Sequence, residues 1–292
     1  MIEEKATGED GKLTFEADLP IGFSYVVKET SPAPGFATTD EVQEFTFTAE
    51  SSDKATVSYE FIFEDEPTVF EFTKTSLTDG KEVEGAKLTV TDENGEVVDE
   101  WVSGKEPHII KELVVGQTYT MTEVLPAPGY VTAESIQFTV EDTAEVQKIE
   151  MKDDVTKVEI SKTDIAGKEL PGAKLTILDE NGEVVESWTS TEEPHYIEML
   201  PIGRYILHEE SAPEGYLVAE DIEFEVKDTG EIQKVVMKDE AAPEETPEEP
   251  QNPVGTDAPK TGDDTNLLFW TALLGIGLCG TGAAFVMRRK RR

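Results

Sequence analysis

Apolar and polar side chains alternate in short runs along most of the chain. Val69-Phe70-Glu71-Phe72-Thr73-Lys74, Tyr119-Thr120-Met121-Thr122-Glu123 and Val235-Val236-Met237-Lys238-Asp239 each send every second residue to one side. That is the period of a strand with one buried face. The runs are rich in Val, Ile, Thr, Phe and Tyr, and turns at Asn94-Gly95, Asn181-Gly182, Asp79-Gly80 and Pro171-Gly172 separate them. No helical period competes, so the pattern predicts an all-β chain of small antiparallel, Ig-like sandwiches.

The alternation comes in copies. Lys162-Thr163-Asp164, Leu170-Pro171-Gly172-Ala173-Lys174-Leu175-Thr176 and Asp179-Glu180-Asn181-Gly182-Glu183-Val184-Val185 echo Lys74-Thr75, Val83-Glu84-Gly85-Ala86-Lys87-Leu88-Thr89 and Asp92-Glu93-Asn94-Gly95-Glu96-Val97-Val98. A third copy, begun near Gly8 and continuing through Leu19-Pro20-Ile21-Gly22, residues 25–36 and 61–65, lacks the opening strands. Such self-similarity marks a tandem array. The expected plan is a partial sandwich at 1–66, complete sandwiches at 67–154 and 155–240, a disordered acidic, proline-rich linker at 241–257, and a terminal signal at 258–292. Proline and like-charge repulsion hold a linker of that composition extended.

With 63 acidic against 25 basic residues, the net charge is −38. A surface so acidic repels nucleic-acid phosphates, which removes nucleic acid as a partner. The lone cysteine, Cys279, removes disulfides and cysteine-rich metal centres. It lies in an uncharged stretch from 267 to 287, long enough as a helix to span a bilayer, and Arg288-Arg289-Lys290-Arg291-Arg292 follows at once. Just before it stands Ala258-Pro259-Lys260-Thr261-Gly262. This order of short motif, apolar helix and basic tail resembles the cell-wall sorting signal of Gram-positive surface proteins, with Ala258 where Leu is usual. The resemblance implies transient membrane anchoring and cutting between Thr261 and Gly262 by a sortase. The Thr261 carboxyl would then pass to a peptidoglycan or pilin amine. Residues 1–20 carry six acidic side chains and no apolar stretch of signal-peptide kind, so the chain reads as the carboxy-terminal portion of a longer protein.

The informative chemistry is a set of charges on the apolar face of strands. Lys74 shares a side with Phe70 and Phe72, and Lys162 with Val158 and Ile160. Glu123 follows Tyr119 and Met121, Glu209 follows Tyr205 and Leu207, and Glu29 follows Tyr25 and Val27. Asp153 follows Ile149 and Met151, Asp239 follows Val235 and Met237, and Asp65 follows Phe61 and Phe63. Each complete unit thus points one amine and two carboxyls inward. Burial favours the neutral form of such groups. A neutral amine can attack an aspartic acid and expel water while a protonated glutamic acid polarises the carbonyl, leaving an uncharged amide. The competing outcome is that these residues lie at strand ends and reach solvent.

The units also resemble Cna protein B-type domains, or prealbumin-like pilin domains, through Lys162-Thr163-Asp164, Leu170-Pro171-Gly172-Ala173-Lys174 and the stretch from Tyr205 through Glu209-Glu210-Ser211-Ala212-Pro213-Glu214-Gly215-Tyr216. The resemblance implies self-formed isopeptide bonds from Lys74 to Asp153 and from Lys162 to Asp239, assisted by Glu123 and Glu209. The second unit departs from the pattern at Pro126-Ala127-Pro128. The partial unit has Glu29 and Asp65 but no lysine partner, so its bond cannot form within this chain.

Asp92-x-Asn94-x-Glu96 is read as a hairpin turn before a calcium loop, and His108 and His195 lack metal-ligand spacing. No cofactor is expected, and no residue set supports turnover. The expected function is the structural stalk of a wall-anchored surface protein, adhesin or pilin in type, with a host or glycan ligand held by an upstream head. A minor or basal pilin subunit is one alternative, although Tyr-Pro-Lys, the motif of polymer-forming pilins, is absent. Another is a pair of glycan-binding modules of a surface glycosidase, with Trp101 and Trp188 as stacking platforms.

Overall fold

The computed structural model describes residues 1–46 and 59–243. The expected linker, apart from its first residues, and the whole terminal signal, Ala258 to Gly262 and the apolar stretch included, lie outside the described residues. Among the described residues no helix is long and apolar enough to cross a membrane.

The chain is all-β. Among its described residues the first unit carries four strands, β1 (Ser24–Lys28), β2 (Phe36–Ala37), β3 (Val42–Thr46) and β4 (Glu66–Pro67), in two small antiparallel pairs, β1 with β3 and β2 with β4. The second holds β5 (Val69–Ser76), β6 (Lys87–Thr91), β7 (Val97–Val102), β8 (His108–Lys111), β9 (Thr118–Leu125), β10 (Ile136–Thr139) and β11 (Val146–Asp153). These form two sheets, ordered β11-β5-β8 and β10-β9-β6-β7. The third repeats the plan with β12 (Lys157–Asp164), β13 (Lys174–Leu178), β14 (Val184–Thr189), β15 (His195–Glu198), β16 (Gly203–Ser211), β17 (Ile222–Val226) and β18 (Ile232–Asp239), ordered β15-β12-β18 and β14-β13-β16-β17.

Each core lies between the two sheets and is built from the period-two residues. In the second unit Phe70, Phe72, Leu88, Val90, Tyr119, Met121 and Met151 are buried together, and in the third Val158, Ile160, Leu175, Ile177, Tyr205, Leu207 and Met237. The turns follow local chemistry. Asp92 Oδ1 accepts hydrogen bonds from the Asn94 and Glu96 amides at 2.9 and 2.8 Å, and Asp179 does the same for Asn181 and Glu183. Gly95 and Gly182 supply the positive φ that closes these hairpins. Here the acidic motif is consumed by its own turn.

One connection departs from pure antiparallel order. In both complete units the first and last strands run side by side in parallel, β5 with β11 and β12 with β18, over eight residue pairs each. Lys74 stands level with Met151 and Lys162 with Met237. Because side chains alternate, Asp153 and Asp239, two residues further along, face the same way as the lysines. In the first unit, residues 61–65 form no strand, so the expected strand through Phe61, Phe63 and Asp65 is corrected to an irregular run. The reason lies in the other two copies, where this segment pairs only with a first strand, and no counterpart of β5 or β12 exists among the described residues.

Successive units meet in a repeated clamp. Thr156 donates its amide to Gly129 O at 3.0 Å and its hydroxyl to Leu200 O at 2.6 Å, while the Met199 amide donates to Thr156 O at 3.0 Å. Thr68 makes the same three bonds to Gly35, Leu113 and Glu112. Both threonines are fully buried. Among the described residues, Met199 and Glu112 are the two non-glycine residues at positive φ, 63° and 64°. Each crowds a left-handed glycine. A Cβ on Gly129 (φ 84°) would press into the Met199 carbonyl, and one on Gly35 (φ 90°) would stand 2.8 Å from that of Glu112. Gly215 has a like φ of 87° but open space around it. Gly215→Ala therefore carries only the backbone cost, about 1–2 kcal/mol. Gly129→Ala adds a clash with backbone, so it should lower the calorimetric unfolding temperature further and open the chain near 154–156 to protease. Equal effects from the two variants would remove the clamp as a source of rigidity.

Candidate functional site

The two complete units each enclose one ammonium and two carboxyl groups. Lys74 contacts Asp153 Oδ1, and its Nζ stands 3.0 Å from Glu123 Oε1. Lys162 contacts Asp239 Oδ1, and its Nζ stands 2.9 Å from Glu209 Oε1. All six side chains are at most 1% exposed. The sequence-predicted groups are thus brought together, twice, in one arrangement.

Backbone geometry delivers each part. The lysine and the aspartate come from the parallel first and last strands, and the glutamate reaches across from the facing sheet. Just beyond the glutamate, the ladder slips by one residue. Leu88 pairs with Glu123 but Lys87 with Leu125, and Leu175 pairs with Glu209 but Lys174 with Ser211. A bulge of this kind re-aims a side chain. The second glutamate oxygen is then tethered by a backbone donor ten residues on, Ala133 N to Glu123 Oε2 at 2.6 Å and Ala219 N to Glu209 Oε2 at 2.7 Å. The departure at Pro126-Ala127-Pro128 does not disturb this. Ala127 is buried against Val83 and Ala86, with Tyr130 packed beside them.

In electrostatic terms the site is over-supplied with acid. With all three groups ionised the net charge is −1 in a place without water-exposed surface. Burial pushes the Asp153 carboxyl up from 3.8 to about 6, against the lowering effect of Lys74 and with a further rise from Glu123. Asp239 is raised for the same reasons, burial first, with Lys162 opposing and Glu209 adding. Hydrogen bonding is also incomplete. Asp153 Oδ2 and Asp239 Oδ2 are buried with no partner. Glu123 Oε1 and Glu209 Oε1 lie at ion-pair distance from the amines but out of hydrogen-bond alignment. A buried acceptor left unpaired costs about 1–3 kcal/mol.

The first unit contains half of this arrangement. Glu29 Oε2 accepts the Thr39 amide at 2.9 Å, again ten residues downstream, and Asp65 Oδ1 is buried without a hydrogen-bond partner. Sequence reasoning found the charged triples through their parity. It missed the tethering amides of Thr39, Ala133 and Ala219, which carry no side-chain signal, and the clamp threonines Thr68 and Thr156, whose only mark is their recurrence.

The tryptophans each have an aromatic partner within their own unit. Trp101 on β7 stacks on His108 of β8 with ring centres 4.3 Å apart at 9°, and lies 5.6 Å from Phe72. Trp188 stacks on His195 at 4.3 Å and packs against the third unit's core. The histidines pair with Asp99 Oδ2 at 2.9 Å and Glu186 Oε1 at 2.7 Å. Each stack joins edge strands of the two sheets and closes the side of the sandwich, with both indoles half-buried. Among the described residues no group of three or more His, Cys, Asp or Glu could hold a metal ion.

The family profile of the SpaA prealbumin-like fold domain matches residues 1–60, 68–155 and 156–241. Among solved structures, the chain is similar to the Bacillus anthracis TIE protein, at 28% identity over 80% of this chain and 44% of that one, with a TM-score of 0.43. It is also similar to the shaft pilin SpaA of Lactobacillus rhamnosus GG, at 11% identity over 60% of this chain and 98% of that one, TM-score 0.30. A Streptococcal ancillary pilin matches at 18% identity over 78% and 77% of the two chains, TM-score 0.30. The chain spans less than half the length of the first of these. No curated protein matches it.

Replacing Lys74 by Met leaves Glu123 and Asp153 buried together without a cation. The expected loss is about 3–5 kcal/mol in denaturant unfolding. Adding Glu123→Gln and Asp153→Asn to that variant should recover most of the loss. A Lys74→Met protein as stable as its parent would show that the amine holds nothing together.

Proposed function

Because this chain belongs to the SpaA prealbumin-like fold domain family, we propose that it is the structural stalk of a sortase-anchored bacterial surface protein, of adhesin or pilin type, stiffened by bonds its domains form within themselves. The observation that carries this reading is the buried Lys–Glu–Asp cluster, found twice with the same partners.

The chemistry follows from the surroundings. The −1 cluster gains one proton and becomes neutral, a state the raised carboxyl of Asp153 favours below about pH 6. Within it a proton moves from the amine to the carboxylate it touches. Lys74 Nζ then attacks Asp153 Cγ, a C–N bond forms, one C–O bond breaks, and water leaves. Glu123, tethered by Ala133, carries the proton from nitrogen to the departing oxygen. The product has no charge to bury and one fewer unpaired oxygen. Lys162, Glu209 and Asp239 repeat the step. The protein turns over no substrate and needs no cofactor.

The mechanical consequence follows from topology. Pull applied along the chain enters β5 at its start, crosses at residue 74 to residue 153 and leaves, so the strands between carry none of it. Closing a loop of 79 residues also stabilises by roughly 4–5 kcal/mol in the chain-entropy account. With the clamps between units, this makes a stiff, protease-resistant spacer at the cell surface.

Intact mass of the purified chain should fall short of its sequence weight by two waters, and Lys162→Ala by one. In cell-free synthesis sampled over time, the Lys74–Asp153 bond should form more slowly at pH 8 than at pH 6. The neutral cluster is held below the raised Asp153 value and lost by about tenfold per pH unit above it. An unmodified weight sinks the proposal, and a rate that rises with pH sinks the proton assignment.

Anchoring rests on residues 258–292. In a Gram-positive host with sortase, Thr261→Ala should move the protein from the wall fraction to the membrane fraction. Unchanged wall attachment would remove Thr261 as the joining residue.

A further inference from the structure

We propose that the edge of β14 in the third unit is a docking strand, which adds an extended, basic segment of another protein to the four-stranded sheet. Such docking needs none of the self-linking chemistry inferred above.

A bare sheet edge is a hazard that folded proteins blunt with charge. The other long edges of the two complete units are blunted in this way. Lysines stand outward on β11 (Lys148, Lys152) and β18 (Lys234, Lys238), and glutamates stand outward on β17 and β7. On the outer face of β14 stand Val185, Ser187 and Thr189, exposed and uncharged.

β7, the counterpart of β14 in the second unit, is closed a second time by a hydrogen bond. There Asp99 uses both oxygens: Oδ2 contacts His108 at 2.9 Å, and Oδ1 accepts the Glu100 amide at 2.7 Å. In β14 the same position holds Glu186, whose Oε1 contacts His195 at 2.7 Å, and the next amide, that of Ser187, has no such cap. The direction of these amides follows from the strand ends. Ser103 and Ser190 donate their amides to Ala86 O and Ala173 O across the pair. Backbone groups alternate along an antiparallel strand, so Trp101 and Trp188 also face the neighbouring strand. The amides of Glu100, Ser187 and Thr189 therefore point away from it. No described strand lies on that side of β14.

Charge around this edge selects the occupant. Glu180 and Glu183 stand before the strand and Glu192 and Glu193 after it, all exposed, against one lysine, Lys174, level with Thr189. A second copy paired antiparallel about Ser187 would set Glu192 and Glu193 of one chain against the acidic turn at 179–183 of the other. It would also bring together two chains of net charge −38. A segment with β-branched, uncharged residues at its centre and lysine or arginine at both ends meets the same acids favourably. Its backbone pairs with Ser187 and Thr189, and its charged ends lie beside Glu183 and Glu192.

The test titrates the full chain into a fluorescein-labelled peptide made of two lysines, the run Val-Thr-Val-Thr-Val and two further lysines, and reads anisotropy at low salt. Saturable binding is expected. Glu186→Asp, which restores the carboxylate that caps this position in β7, should weaken it about tenfold. A peptide N-methylated through its centre, unable to pair, should not bind. Failure of the parent peptide to bind overturns the docking strand. So does equal binding of the methylated peptide, which reports only a loose attraction of lysine to an acidic surface, and so does equal binding by Glu186→Asp, which moves the site away from β14. A glutamate-flanked peptide that binds as tightly overturns the choice of a basic partner. A dimer of the chain alone in sedimentation, lost with Glu186→Asp, overturns it in favour of a second copy.

Discussion

Two buried carboxyls facing one buried amine set the terms for the rest of this fold. An apolar core tolerates an ion only when it is paired and hydrogen-bonded, and here the count is wrong by one acid. The sandwich meets that constraint with unusual care. It brings the lysine and the aspartate from adjacent parallel strands, aims the glutamate with a bulge, and pins its second oxygen with an amide. Placing three ionisable groups so tightly costs stability, unless the cluster is an intermediate on the way to something uncharged. The same set, built twice with the same leftover oxygen, fits that second description.

Much of this was legible in the residues. Period-two alternation locates the inward faces, and parity places Lys74, Glu123 and Asp153 on them. Asn-Gly turns fixed the hairpins, and their aspartates are spent on local amides rather than on a metal. What escaped was whatever depends on backbone alone. The bulge after Glu123 and Glu209 has no composition signal, because Val124 and Glu210 share nothing but position. The amides that hold the glutamates belong to Ala133 and Ala219, residues with no chemistry of their own. Trp101 and Trp188 were ambiguous for a different reason: a ring that can stack on a sugar can equally stack on His108 or His195, and only the strand order decides.

The first unit is instructive through its differences. It shares the turn residues, the tethered glutamate and the inward aspartate of its neighbours, yet its strands are short and residues 61–65 form no strand. Among the described residues no strand lies beside that segment as β5 and β12 lie beside β11 and β18. Its junction to the second unit nonetheless matches the next junction bond for bond, from Thr68 to Gly35, Glu112 and Leu113. Contacts at the end of a sandwich therefore survive where the pairing of its outermost strands does not.

The parallel ladder between first and last strands also governs when a domain can exist at all. As the chain grows from the ribosome, β5 emerges first of its domain's strands and lacks its parallel partner until β11 arrives, more than seventy residues later. Pairing over that sequence distance is slow and cannot begin early. Each domain thus inspects its own completeness. A chain broken or cut short between the two strands leaves the first of them without its parallel partner.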